Sequence, residues 1–193
     1  MKQAALLLAT ASLALAGCSL GGKAPAVLLT LTPQSTLPAA ADTAASAATA
    51  IAIGKPVVPQ SLDTTRIPVT TSATDLAYLK DAYWVDTPDS LFRSLLIETV
   101  GARTGRTVID PVQVTFDVNT LLNGQLLNFG LDAQRMEAVV TFDASLSKNA
   151  GQIVTRRFEV RVPVAVADRQ SVAPALNDAA NQVATQVADW IGR

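Results

Sequence analysis

An α+β two-layer sandwich is the fold the sequence predicts, with a mostly antiparallel sheet and two main helices packed on one face. Two observations predict it. Three segments in the second half of the chain alternate apolar and polar residues, as strands do when a sheet is covered on one side only. Two other segments repeat their apolar residues at helical spacing, so each offers one oily stripe to lay on that sheet.

The elements follow in order. Val27 to Thr32 reads as a strand closed by Pro33, and residues 34–48, rich in Ala, Ser, Thr and Pro, read as a surface loop. Thr49 to Ile53 reads as a second strand, ended by Gly54 and Pro56. Arg66–Thr71 and Leu76–Val85 look like an antiparallel pair joined by Ser72–Asp75, with Tyr83 and Trp84 at the end of the second arm. Thr87-Pro88-Asp89 is a helix start, with a Thr cap, a first-turn proline and an acid facing the positive pole. Leu91, Phe92, Leu95, Leu96 and Val100 form its apolar face, and Gly105 can stop it.

The alternating strands come next. Val108, Val112, Val114, Phe116 and Val118 make the first row. Met136, Ala138, Val140, Phe142, Ala144 and Leu146 make the second. Val154, Phe158, Val160 and Val162 make the third, with Lys148–Gly151 as the hairpin turn before it. Residues 119–133 interrupt the series: their apolar residues have no clean period, and they read as an excursion containing a short strand. A final helix over about Val172–Ile191 carries Val172, Leu176, Ala180, Val183, Val187 and Trp190 on one face. Its other side is Asn, Gln, Asp and Thr with few charges, an expected packing face for another subunit.

The amino terminus carries a different signal. Met1-Lys2-Gln3 has one positive charge, and Ala4 to Ala16 is a run of 13 small or apolar residues broken only by Thr10 and Ser12. That run is short for a membrane-spanning helix and suits the core of a secretory signal. Leu15-Ala16-Gly17-Cys18 then resembles the bacterial lipobox, and Cys18 is the single cysteine of the chain. Residues 1–17 are therefore expected to be a cleaved lipoprotein signal peptide, 18–26 a lipidated tether, and 27–193 a single domain. Lipidation at Cys18, with a diacylglyceryl thioether and an acylated amino terminus (palmitate among the chains), supplies enough acyl chains for stable anchoring. Ser19 is not the aspartate that retains enteric lipoproteins in the inner membrane, which points to the outer membrane, periplasmic face. The tether from Ser19 to Ala26 reaches at most about 26–29 Å when extended.

Composition narrows the function. Without residues 1–17 and their one charge, Lys2, the chain has 14 basic and 16 acidic residues, a net charge of −2, which argues against nucleic acid as a partner. There is no histidine, so Ser-His-Asp and Cys-His sites are impossible, and an acylated Cys18 leaves no thiol for catalysis or metal. Glutamate occurs at Glu98, Glu137 and Glu159 alone, and no Asp/Glu pair stands out by spacing. No nucleotide or calcium loop is present. The sequence reads as a non-enzymatic anchored domain with no cofactor and no metal.

The order of these parts is similar to that of the ABC-type transport auxiliary lipoprotein family. The likeness rests on the lipobox followed at once by a strand, on Ala82-Tyr83-Trp84-Val85-Asp86-Thr87-Pro88 leading into the first helix, on Leu122-Asn123-Gly124-Gln125-Leu126 with Phe129, and on Arg156-Arg157-Phe158. It covers nearly all of the mature chain. The resemblance implies a partner system: an ATPase, a permease and a mammalian-cell-entry-domain protein that together move phospholipids or other hydrophobic molecules between two membranes. The lipoprotein would dock or tether the far end of that conduit at the outer membrane, as a homo-oligomer in one form of the reading. A structural or assembly lipoprotein of a secretion or cell-wall complex is the alternative, and a carboxylate hydrolase a third.

Three residues are candidate partner-binding positions. Tyr83 and Trp84 form a strand-end aromatic pair, which serves either as a docking surface or as core under the next helix. Arg157 and Arg161 share a wet strand face with Glu159, whereas Arg156 points the other way by parity, as an edge position or a bulge would allow.

Overall fold

The computed structural model describes residues 27–37, 46, 48–111, 118–148 and 151–192. Cys18, the signal segment and the tether lie outside the described residues, as do 38–45 of the expected loop, 112–117 of the expected strand, and Asn149 and Ala150 of the expected turn.

Among the described residues seven strands form one sheet and two helices cover it: β1 (Ile51–Ile53), β2 (Arg66–Thr70), β3 (Leu76–Tyr83), α1 (Pro88–Thr104), β4 (Val108–Ile109), β5 (Thr120–Asp132), β6 (Glu137–Lys148), β7 (Gln152–Pro163) and α2 (Arg169–Ile191). The sheet is mixed, which corrects the expectation of a mostly antiparallel one. β2–β3, β5–β6 and β6–β7 are antiparallel, but β1 runs parallel to both β4 and β5, and β2 runs parallel to β5. Along the edge of β5 opposite β6 lie Ala52 and Ile53, then Val57, then Val69 and Thr70. The chain from 51 to 70 thus acts as one interrupted strand alongside β5.

β5 is the axis of the sheet, and its existence corrects the reading of residues 119–133 as an excursion. Leu126 pairs with Phe142 and Asn128 with Thr141, so Leu127 is an extra residue in the ladder. Leu122 and Leu126 face the core before this bulge, and Phe129 and Leu131 face it after. The bulge shifts the parity by one, which is why no clean alternation is visible in the sequence. Gly124 is required on the inward side. A Cβ there would strike the Asp143 carbonyl and the Phe142 ring.

The helices lie on one face, as expected. Phe92, Leu95, Leu96 and Val100 of α1 are buried, and the Phe92 ring meets Phe142 of β6 edge-on at 5.2 Å. Thr87 stands extended before Pro88, and Gly105, at φ 66°, takes the left-handed position that closes the helix. Asp168 caps α2 by accepting from the Ser171 amide at 2.8 Å. Trp190, near the other end of α2, meets Phe158 of β7 at 5.6 Å.

Two further expectations change. Residues 27–32 make only an isolated bridge, Leu29 to Trp84, instead of a strand. Val154 is exposed although its partner Leu146 is buried, because β7 is the edge strand and α2 reaches it at Phe158, where Trp190 sits.

Candidate functional site

The first described segment, residues 27–37, is a strap across the helical layer. The Leu29 amide donates to the Tyr83 carbonyl and the Val85 amide donates to the Leu29 carbonyl, both at 2.8 Å, which pins the strap to the end of β3. It then crosses α2. The Thr32 amide donates to Asn177 Oδ1 and the Gln34 amide to Asn181 Oδ1, both at 2.8 Å, while Asn181 Nδ2 returns a bond to the Thr32 carbonyl at 3.0 Å. Leu37 ends the crossing on α1, with its amide on Glu98 and its side chain against Gly101. Asn177 and Asn181 belong to the weakly charged side of α2. That part of the face therefore holds the chain's own amino-terminal segment, which corrects the expectation that it waits for another subunit.

Asn181 is buried. Its spacing of four from Asn177 puts both amides on one helical line, and that pairing was the available sequence signal for the strap.

The opposite end of the domain is the β6–β7 hairpin. Every residue from Gln152 to Arg157 is exposed, including Ile153 and Val154. The β6–β7 register runs unbroken from Glu137–Pro163 to Lys148–Gln152. Arg156 therefore lies on the helix side of the sheet with Phe158, and it is exposed because β7 is an edge strand and not because of a bulge. Its guanidinium lies 5.3 Å from the Phe158 ring centre. An open groove of about 750 Å³ adjoins it, lined by Gln125, Asp143, Ser145, Thr155, Arg156 and Arg157 among others.

Tyr83 is half-buried and serves the strap through its backbone. Trp84 is buried in the core against Phe129, ring centres 5.5 Å apart, and among the described residues its Nε1 has no hydrogen-bond partner. The candidate aromatic pair is thus split: Trp84 is core, and Tyr83 is partly accessible beside the strap.

The helix-free face of the sheet carries an ionic lattice. Arg157 forks onto both oxygens of Asp143 at 2.6 Å, and this holds the Asp143 carboxyl below its ordinary range. Arg161 bonds Glu159 at 2.9 Å and reaches Glu137 and Asp132 at 3.4 and 3.5 Å. The Arg161 bond holds Glu159 low, with Thr141 also donating to it. These charges satisfy one another on a wet surface, as the spacing of Arg157, Glu159 and Arg161 predicts. Among the described residues no group of three or more Asp, Glu, Cys or His is placed to hold a metal ion, and no helix is long and apolar enough to cross a membrane.

The comparisons with known proteins agree with this architecture. A crystal structure of a Xanthomonas campestris protein superposes with a TM-score of 0.68 at 20% identity, covering 85% of this chain and 94% of that one. A second, of an uncharacterized protein, gives 0.65 at 17% identity over 74% and 91%. At these identities the likeness shows the fold. A PelC dodecamer from Paraburkholderia phytofirmans is similar at a TM-score of 0.42 and 12% identity, over 75% and 92%, too distant to inform this chain's assembly. Among curated proteins none matches the sequence. The family model of the ABC-type transport auxiliary lipoprotein component, however, matches residues 30–188, from the strap to the last turn of α2. The chain belongs to the ABC-type transport auxiliary lipoprotein family.

Proposed function

We propose that this protein is the outer-membrane-anchored auxiliary lipoprotein of an ABC-type intermembrane phospholipid transport system. It docks the periplasmic mammalian-cell-entry-domain component, which its permease and ATPase power from the other membrane. The observation that carries the reading is the family match over 30–188, preceded by the lipobox at Cys18. The shape of the domain supports it. The strap ties the amino-terminal side to one end of α2, and the exposed hairpin lies at the other end. A tether at one end and an uncovered tip at the other suit a part that joins a membrane to a distant partner.

In this reading Arg156 and the uncovered apolar residues beside it meet the partner, whereas Tyr83 lies at the strap end, bonded to Leu29, and Trp84 is core. A homo-oligomer fits a surface on which charged residues make up only 16% of the chain. The family's role is transport support, and no step of chemistry is assigned to this chain.

The test is fractionation of cells producing wild-type and Cys18→Ala protein. The wild type is expected in the outer membrane, and Cys18→Ala in the soluble periplasm. Wild-type protein in the inner membrane would overturn the placement, and membrane-bound Cys18→Ala would overturn the anchor.

A further inference from the structure

We infer that the end of the domain where the strap begins seats directly on the phospholipid headgroup layer, so that the domain docks on the bilayer in one orientation. The inference rests on the lipid-anchor reading above and adds which surface the lipid meets. The strap's first residues, Val27 and Leu28, are each 49% exposed, and Val85, bonded to the strap at Leu29, is 54% exposed. The bridge at Leu29 is parallel to β3, so the chain read backward from it heads along β3 toward Asp81. Leu29 and Thr30 share a groove with Arg169, Gln170 and Ala173 in the first turns of α2. Lys80 and Asp81 share the neighbouring groove with Ala167, Asp168 and Arg169, next to Val166, which is 55% exposed. Four large apolar side chains therefore stand uncovered around the point from which the tether leaves.

The length of chain before Val27 says what covers them. Eight residues, Ser19 to Ala26, separate Cys18 from Val27 and reach at most about 29 Å. α2 has 23 residues and is about 35 Å long. With Arg156 and the exposed arm of β7 toward the far end of a helix this long, a tether of that reach favours the strap end at the bilayer over the far end. Within so short a tether even a weak apolar contact is well populated, because the local concentration of membrane is high. Charge does not drive the contact: Lys80 and Arg169 at this end are balanced by Asp81 and Asp168. The docking is therefore apolar and insensitive to salt.

The experiment uses the full-length lipidated protein in vesicles of phosphatidylethanolamine and phosphatidylglycerol carrying headgroup spin labels. A fluorophore is placed at Gln170→Cys, beside the patch, or at Ile153→Cys, on the hairpin tip, and flotation confirms anchoring. The expected result is strong quenching at Gln170→Cys and none at Ile153→Cys, unchanged by added salt. Adding Leu28→Asp and Val166→Asp to the Gln170→Cys protein should lower the quenched fraction about tenfold. Equal quenching at both positions, loss of quenching in salt, or no effect of the paired Asp substitutions would overturn the inference while leaving the anchor intact. Failure of the protein to float would overturn the anchor and this inference with it.

Discussion

Asn181 shows how a single polar residue sets the route of the chain. It sits on a buried helix surface, yet three of its four bonding positions are used: Oδ1 accepts from Gln34, and Nδ2 donates to the Thr32 and Asn177 carbonyls. Asn181→Ala leaves the Thr32 carbonyl and the Gln34 amide without their partner and should cost about 1–3 kcal/mol. Urea unfolding measures the loss, and hydrogen exchange should become fast at Gln34 while the sheet stays protected. Asp89 makes a second residue-scale case. Burial raises its pKa, but the Lys55 ammonium at 2.8 Å, with bonds from Thr87 and the Ser90 amide, outweighs burial and holds the carboxyl below its ordinary value. A depressed folded pKa means stability that is present above the unfolded value, about 3.9, and lost as pH falls through the folded one. Asp89→Asn should therefore lose less stability than the wild type when the urea midpoint is compared at neutral pH and below about pH 4. The solvated pattern of Arg157, Glu159 and Arg161 was legible from alternation alone. Asn181 was not, because its partner segment lies 147 residues away in sequence.

At the scale of elements, legibility followed regularity. α1, α2, β6 and the β2–β3 pair each carry a local signature: a cap, a stripe or an alternation. β5 carries none, since the bulge at Leu127 moves the inward set from Leu122 and Leu126 to Phe129 and Leu131. The parallel pairings were equally hidden. β1 has 3 residues and β4 has 2, too short to show a period, and each is placed by partners distant in sequence. The bulge makes a specific prediction. Deleting Leu127 removes the extra residue while keeping Leu126, Phe129 and Leu131 on the inward side, so cooperative unfolding should survive. Deleting Asp143 from the regular β6 ladder turns part of that strand's core residues outward and should abolish the folded state. Thermal melts followed by circular dichroism distinguish the two variants.

On the scale of the whole molecule, the domain has two unlike ends. The strap is fastened to the end of β3, to α2 and to α1 in turn, so a pull on the chain before Val27 is shared by three elements. The first half of β7 is uncovered at the other end, with Ile153, Val154 and Arg156 exposed, while Leu146 and Ala144, the β6 partners of Val154 and Arg156, stay buried. The lipobox-like stretch Leu15–Cys18 and the order of elements made the family legible in the sequence. The polarity of the domain was not, because it depends on where α2 stops over β7, a fact of packing and not of pattern. The measurement that most directly tests the account is a crosslinked pull-down of the full-length lipidated protein from membranes, with partners identified by mass spectrometry. The account predicts recovery of a mammalian-cell-entry-domain protein with its permease and ATPase. Recovery of secretion or cell-wall assembly components in their place would contradict it.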